Sequence, residues 1–226
     1  MRKTLGMAAI MFAFLAPLAV QAQEAEISAN AGWVSQYYYR GILQKSSSAS
    51  AGLDLASGVF SMGTWAADVG DGAEVDLYAA FGFDLTDNVS VSAGGTGYFY
   101  TGGFDDTYLE GNFGLGLGLI SVEYSLGSYK TSPTAVDYSF LGITLEGENG
   151  LFVTGGAFGD NLALGGLFDS GHYVEAGYGF SAADLDFVIS GIFNDSSLSG
   201  EVSGPRDAPT SELTLVFGVS KAFGPL

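Results

Sequence analysis

The sequence predicts an all-β protein: a closed antiparallel transmembrane β-barrel of about 12 strands, wound as an up-and-down meander. Three observations predict it. First, segments of alternating polarity recur along the chain. In "EVDLYAAFGFDL" (74–85), Val75, Leu77, Ala79, Phe81, Phe83 and Leu85 share one parity, and Glu74, Asp76, Tyr78 and Asp84 share the other. That is the period of a strand with one apolar and one polar face. Second, the connections between these segments alternate between short and long. Third, no run of ~20 apolar residues follows the N-terminus, so no spanning helix is expected in the mature chain.

The N-terminus reads "MRKTLGMAAIMFAFLAPLAVQAQ". Arg2 and Lys3 form a positive region, residues 5–19 are almost wholly apolar, and "VQA" ends in a small-x-small pattern, so 1–22 is expected to be a secretory signal. Cleavage after Ala22 removes two of the seven basic residues and no acid, which takes the net charge from −18 to −20. A nucleic-acid partner is not expected with that sign. Charged residues make up 14% of the chain, against roughly 25% in soluble domains. There are no cysteines, which an exported barrel of this size does not need.

Residues 23–226 show no linker-like shift in composition and read as one domain. Twelve strands are expected, near 27–39, 47–56, 59–68, 73–85, 88–100, 106–117, 119–129, 135–146, 150–158, 171–181, 184–194 and 210–223. Connections after the even strands are tight, such as "SG" at 57–58 and "TDN" at 86–88. Those after the odd strands are mostly longer: "GILQKSS", "TGGFDD", "KTSPTA", "FGDNLALGGLFDSG" and "DSSLSGEVSGPRDAPT". Short turns on one rim and long loops on the other are the asymmetry of bacterial outer-membrane barrels. Pro133, Pro205 and Pro209 fall in long loops and Pro225 past the last strand, so none would delete a ladder hydrogen bond.

The apolar face should point outward. A strand of about twelve residues rises roughly 40 Å at ~3.3 Å per residue, and at a tilt near 40° it covers the ~25 Å apolar band. About eight strands already leave an interior that side chains just fill, so twelve with an apolar interior would leave a void. The opposite faces also carry acids on separate strands, which a soluble core would not accept. A soluble periplasmic sandwich would need shorter strands and no rim asymmetry. Tyr37, Tyr39, Phe99, Phe180, Phe193 and Phe223, near strand ends, are expected in the aromatic girdles.

The segments "SANAGWVSQYYYRGILQKSSSASAGLDL" (28–55) and "GTWAADVGDGAEVDLYAAFGF" (63–83) carry a resemblance through "RGI" after an aromatic strand, then "GLDL", "GTWA" and "EVDLY". On these motifs the chain resembles the TorF-like porin family, the Gcw conserved-hypothetical outer-membrane proteins. The resemblance covers roughly 28–160 and implies an outer-membrane barrel with a pore. Two departures stand out: Gln36 where an acid would be expected, and "GPL" after the terminal aromatic Phe223.

The lumen wall is expected to hold Arg40, Asp54, Glu74, Asp76, Tyr78, Tyr108, Glu110, Glu123, Tyr173, Glu175, Asp186 and Glu212. Carboxylates lining a pore favour cations. The expected function is therefore a narrow, passive, cation-favouring channel in the cell outer membrane, with lipid and small cationic or neutral solutes as its partners. The alternative is a non-conducting structural or adhesive barrel acting through loops 158–171 and 194–211. Arg40, by parity the only basic residue inside, is expected to pair with Glu212 across the seam between the first and last strands, or failing that with an acid of strand 2. No enzyme, cofactor or metal site is expected. His172 is the only histidine and should face outward, and nothing marks Ser170 as a nucleophile. The acids of "DVGDGAEVD" and "FDD" lack the ligand spacing of a calcium loop and read as solvated loop charges.

Overall fold

The computed structural model describes residues 25–130, 133–160, 167–198 and 213–225. They form twelve strands: β1 Glu26–Tyr39, β2 Ile42–Ser57, β3 Phe60–Asp68, β4 Ala73–Thr86, β5 Val89–Tyr100, β6 Tyr108–Leu117, β7 Ile120–Tyr129, β8 Val136–Glu146, β9 Leu151–Gly159, β10 Leu167–Ala182, β11 Leu185–Asn194 and β12 Leu213–Phe223. Each strand pairs with the next in sequence, and β1 pairs antiparallel with β12 from Ala29–Phe223 to Val34–Gly218, which closes the barrel. A short 3₁₀ turn, Ser196–Leu198, follows β11.

Two strand starts differ from expectation by four residues or more. β10 begins at Leu167 rather than 171, and β2 begins at Ile42 rather than 47. The second change matters for the site. "GILQKSS" is not a loop but the start of β2, joined to β1 by a turn of only Arg40 and Gly41. These have φ of 46° and 82°, the both-positive pattern whose twist matches a hairpin. The other rim carries connections 58–59, 87–88, 118–119, 147–150 and 183–184. On the first rim, 69–72, 101–107 and 130–135 are mostly longer. Of the expected loops 158–171 and 194–211, residues 161–166 and 199–211 lie outside the described residues.

Polarity is inverted relative to a soluble protein. Leu215, Leu213 and Leu85 are 73%, 68% and 61% exposed, whereas Glu74 and Asp76 are 0% and 3% exposed. The exposed apolar side chains come from every strand, as alternation in a closed sheet requires. They form the lipid-facing surface of a β-barrel membrane protein. Phe99, Phe180, Phe193 and Phe223 lie on that surface.

Candidate functional site

The site begins with a local failure of pairing. Backbone pairing of β1 to β12 ends at Val34, and that of β2 to β3 begins at Ser50. Beyond these points β1 and β2 pair only with each other, out to Tyr39–Ile42. A bulge between Tyr37 and Tyr38 resets the alternation there, and the hairpin tip bends into the lumen. Tyr37 and Tyr39 therefore do not join the outer girdle. Tyr37 is buried against Ala67, Val69 and Trp65, and Tyr39 and Ile42 pack on the Phe140, Phe158, Tyr173 and Leu198 cluster. Gly41 sits so close to β10 that a Cβ there would fall 2.6 Å from the Tyr173 ring.

At the tip, the Arg40 guanidinium is clamped. Nη1 donates to Glu110 Oε1 at 2.6 Å and to Tyr39 Oη at 2.8 Å. Nη2 donates to Glu110 Oε2 and Ser125 Oγ, each at 3.1 Å, and also to Glu123. Its carbon lies 4.2 Å from the centre of the Phe140 ring. Glu110 in turn accepts Tyr138 Oη at 2.7 Å, Tyr98 Oη at 3.1 Å, Tyr39 Oη at 3.2 Å and Asn112 Nδ2 at 2.8 Å. The two-pronged approach is what a planar guanidinium provides and an ammonium does not. The hairpin is thus bonded across the lumen to β6 and β7 and packed on β8 and β10.

Arg40 points inward from the turn rather than from a strand face, because the Tyr37/Tyr38 bulge breaks the strand parity before it. Glu212 lies outside the described residues. Asp54, the acid of β2, bonds Asn30 Nδ2 at 3.3 Å and Tyr78 Oη at 2.5 Å. The fallback assumed an arginine lying along the wall beside β2; the inward bend carries it across the lumen to Glu110 and Glu123 instead.

The other expected residues are distributed as follows. Asp54 and Tyr78 meet over Gly63 of β3, where a Cβ would fall 2.6 Å from each. Glu74 accepts Tyr37 Oη at 2.5 Å, with Asp76 next on the same face of β4. Tyr108 stacks on Tyr129, ring centres 4.4 Å apart, and donates to Asp105 at 3.0 Å. Tyr173 is buried beneath the hairpin, and Glu175 is the next residue of the same parity. Asp186 is at the opposite rim, accepting Ser181 Oγ at 2.5 Å. His172 faces outward, with Nδ1 2.6 Å from Asp195 Oδ2. Among the loop acids, Asp68 pairs with Lys45 and accepts the Gly70 amide at 2.9 Å.

Sequence reasoning missed Tyr37, Tyr39, Tyr98, Tyr138, Asn112, Ser125 and Trp65. For Asn112 and Ser125 the signal was present, since each lies two residues from an inward acid. The inward aromatics carried no such signal, because an alternating strand places aromatics on either face.

Comparison with known proteins adds the following. Residues 19–157 match the model of the family described as "Bacterial protein of unknown function (Gcw_chp)". A chain solved in work on the in-meso crystallization of membrane proteins is 11% identical with a TM-score of 0.53; the match covers 88% of this chain and 83% of that one. Pseudomonas aeruginosa OccK2 (OpdF) in complex with glucuronate is 15% identical with a TM-score of 0.39, covering 84% of this chain and 60% of that one. The outer membrane protein opdK from Pseudomonas aeruginosa is 15% identical with a TM-score of 0.37, covering 79% and 57%. No curated protein matches.

Proposed function

The chain belongs to the Gcw_chp family of bacterial proteins, and we propose that it is an outer-membrane channel for passive diffusion of small solutes, narrow and cation-favouring, with the β1–β2 hairpin as its gate. Residues 1–22 direct export and are removed. The long-loop rim faces outward, and lipid surrounds the apolar belt. The observation that carries the reading is the pairing of an apolar exterior with a lumen lined by Glu74, Asp76, Glu110 and Glu123. Such a wall attracts cations and repels anions. In this conformation the gate is shut, because Arg40 ties the hairpin tip to Glu110 and Glu123.

A second reading, a non-conducting structural or adhesive barrel, draws its support from the same hairpin tied across the lumen. Single-channel recording in planar bilayers separates them. The channel reading expects small or infrequent openings in the unmodified protein and larger or more frequent ones in Arg40→Ala. Silence in both proteins would leave the structural barrel as the reading to keep.

A further inference from the structure

Four of the inward carboxylates fall into two pairs. Glu110 and Glu123 share Arg40 and are hydrogen-bonded by the neighbouring tyrosines, Asn112 and Ser125. Glu74 and Asp76 have no such counter-charge. Among the described residues the other basic side chains are committed elsewhere: Lys45 to Asp68, Lys130 to Ser128, and Lys221 over the outer Phe223 ring. Glu74 Oε1 takes the Tyr37 hydroxyl, but Glu74 Oε2 and Asp76 Oδ1 are buried with no hydrogen-bond partner. Two carboxylates out of water without compensation are costly, so the pair must be neutralised, by protons or by a bound cation.

The surroundings narrow its chemistry. Asp76 stands in register with Trp65 of β3 and Tyr98 of β5, and Glu74 with Tyr100. Tyr37 closes the lumen side, its ring centre 5.6 Å from that of Trp65. Aromatic faces beside a carboxylate pair suit a weakly hydrated single charge. A calcium site gathers several acidic oxygens, and among the described residues no three acidic, histidine or cysteine side chains come together in that way, which leaves a single charge that two carboxylates can balance.

We propose that Glu74 and Asp76 form a binding site for a monovalent alkali cation, within the channel and beside the hairpin gate. The assignment rests on the channel reading for its purpose, but not for its test. An ion held by two carboxylates and aromatic faces stays exchangeable, which conduction requires.

The test uses the two tryptophans. Trp33 lies on the outer face, so Trp33→Phe leaves Trp65, the register partner of Asp76, as the only reporter. The folded protein in detergent micelles is titrated with potassium chloride against N-methylglucamine chloride, at constant ionic strength and neutral pH. The expected result is a saturable change in Trp65 emission, weakened at least tenfold in Asp76→Asn and lost when Glu74→Gln is added. Heat-modifiable migration on gels checks that each variant is folded, and a potassium-dependent rise in the melting temperature of the unmodified protein gives a second readout. The site is overturned by an unsaturable or absent response, by an identical response in the double variant, by saturation with calcium but not potassium, or by a response to pH alone. Because micelles need no conduction, conductance without binding overturns this site only. Binding without conductance overturns only the channel.

Discussion

Glu110 shows how much one inward position can collect. Its two oxygens take a guanidinium, three tyrosine hydroxyls and an amide. Hydrogen bonds to a charged group contribute about 1.5–3 kcal/mol each. Tyr98→Phe should cost about 1.5 kcal/mol, the low end, because Tyr138 and Arg40 still hold the carboxylate. Urea unfolding in micelles would measure it, and an unshifted midpoint would mean the hydroxyl is not bonded there. Asp195 offers a pH-dependent counterpart at the rim. Burial alone would raise its carboxyl pKa, but the amides of His172 and Ser197, at 2.8 and 2.7 Å, and the His172 imidazole outweigh it and hold the group below the ordinary aspartate range. A carboxyl depressed on folding stabilises above its unfolded pKa near 4 and loses that contribution as pH falls through the folded value. The 3₁₀ turn at Ser196–Leu198, whose Leu198 amide bonds the Asp195 carbonyl at 3.2 Å, should therefore loosen below about pH 4. The protection factor of the Ser197 amide, its exchange rate corrected for the intrinsic pH dependence, should fall there and not at pH 6; a flat protection factor would contradict the assignment.

On the channel reading, the element that controls the path is the β1–β2 hairpin. Its strands were legible, because "SANAGWVSQYYY" and "SASAGLDL" alternate cleanly. Its turn was not. "RGILQKSS" holds Gly, Lys and three polar residues, so it reads as a loop, yet Arg40 and Gly41 turn the chain in two residues. The bend inward follows from where neighbouring strands stop pairing, which no single segment reveals. Gly41 is the point at which the gate can be tested without touching a charge. In Gly41→Val a branched side chain meets a φ of 82° and the Tyr173 ring together. The tip should leave the lumen and single-channel conductance should rise severalfold, with K⁺ still preferred to Cl⁻. Conductance equal to that of the unmodified protein would mean the hairpin does not control the path.

For the molecule as a whole, the expected outcome is recovery in the outer-membrane fraction, heat-modifiable on gels; recovery as a soluble periplasmic protein would refute the membrane assignment. Its current should favour K⁺ over Cl⁻, less so as salt screens the lumen charges, and Glu74→Gln with Asp76→Asn should erode the preference. The sequence by itself determined strand number, which face meets lipid, and that acids line the interior. Those follow from a period of two read along single strands, and from the cost of placing carboxylates in hydrocarbon. Only the tertiary structure decided which acid Arg40 meets, that Tyr37 and Tyr39 face inward, and that Asp54 and Tyr78 bond over the bare Cα of Gly63. These depend on curvature and on distances across the lumen, between strands far apart in sequence. A local pattern carries the direction of a side chain; it does not carry what stands opposite once the sheet has closed.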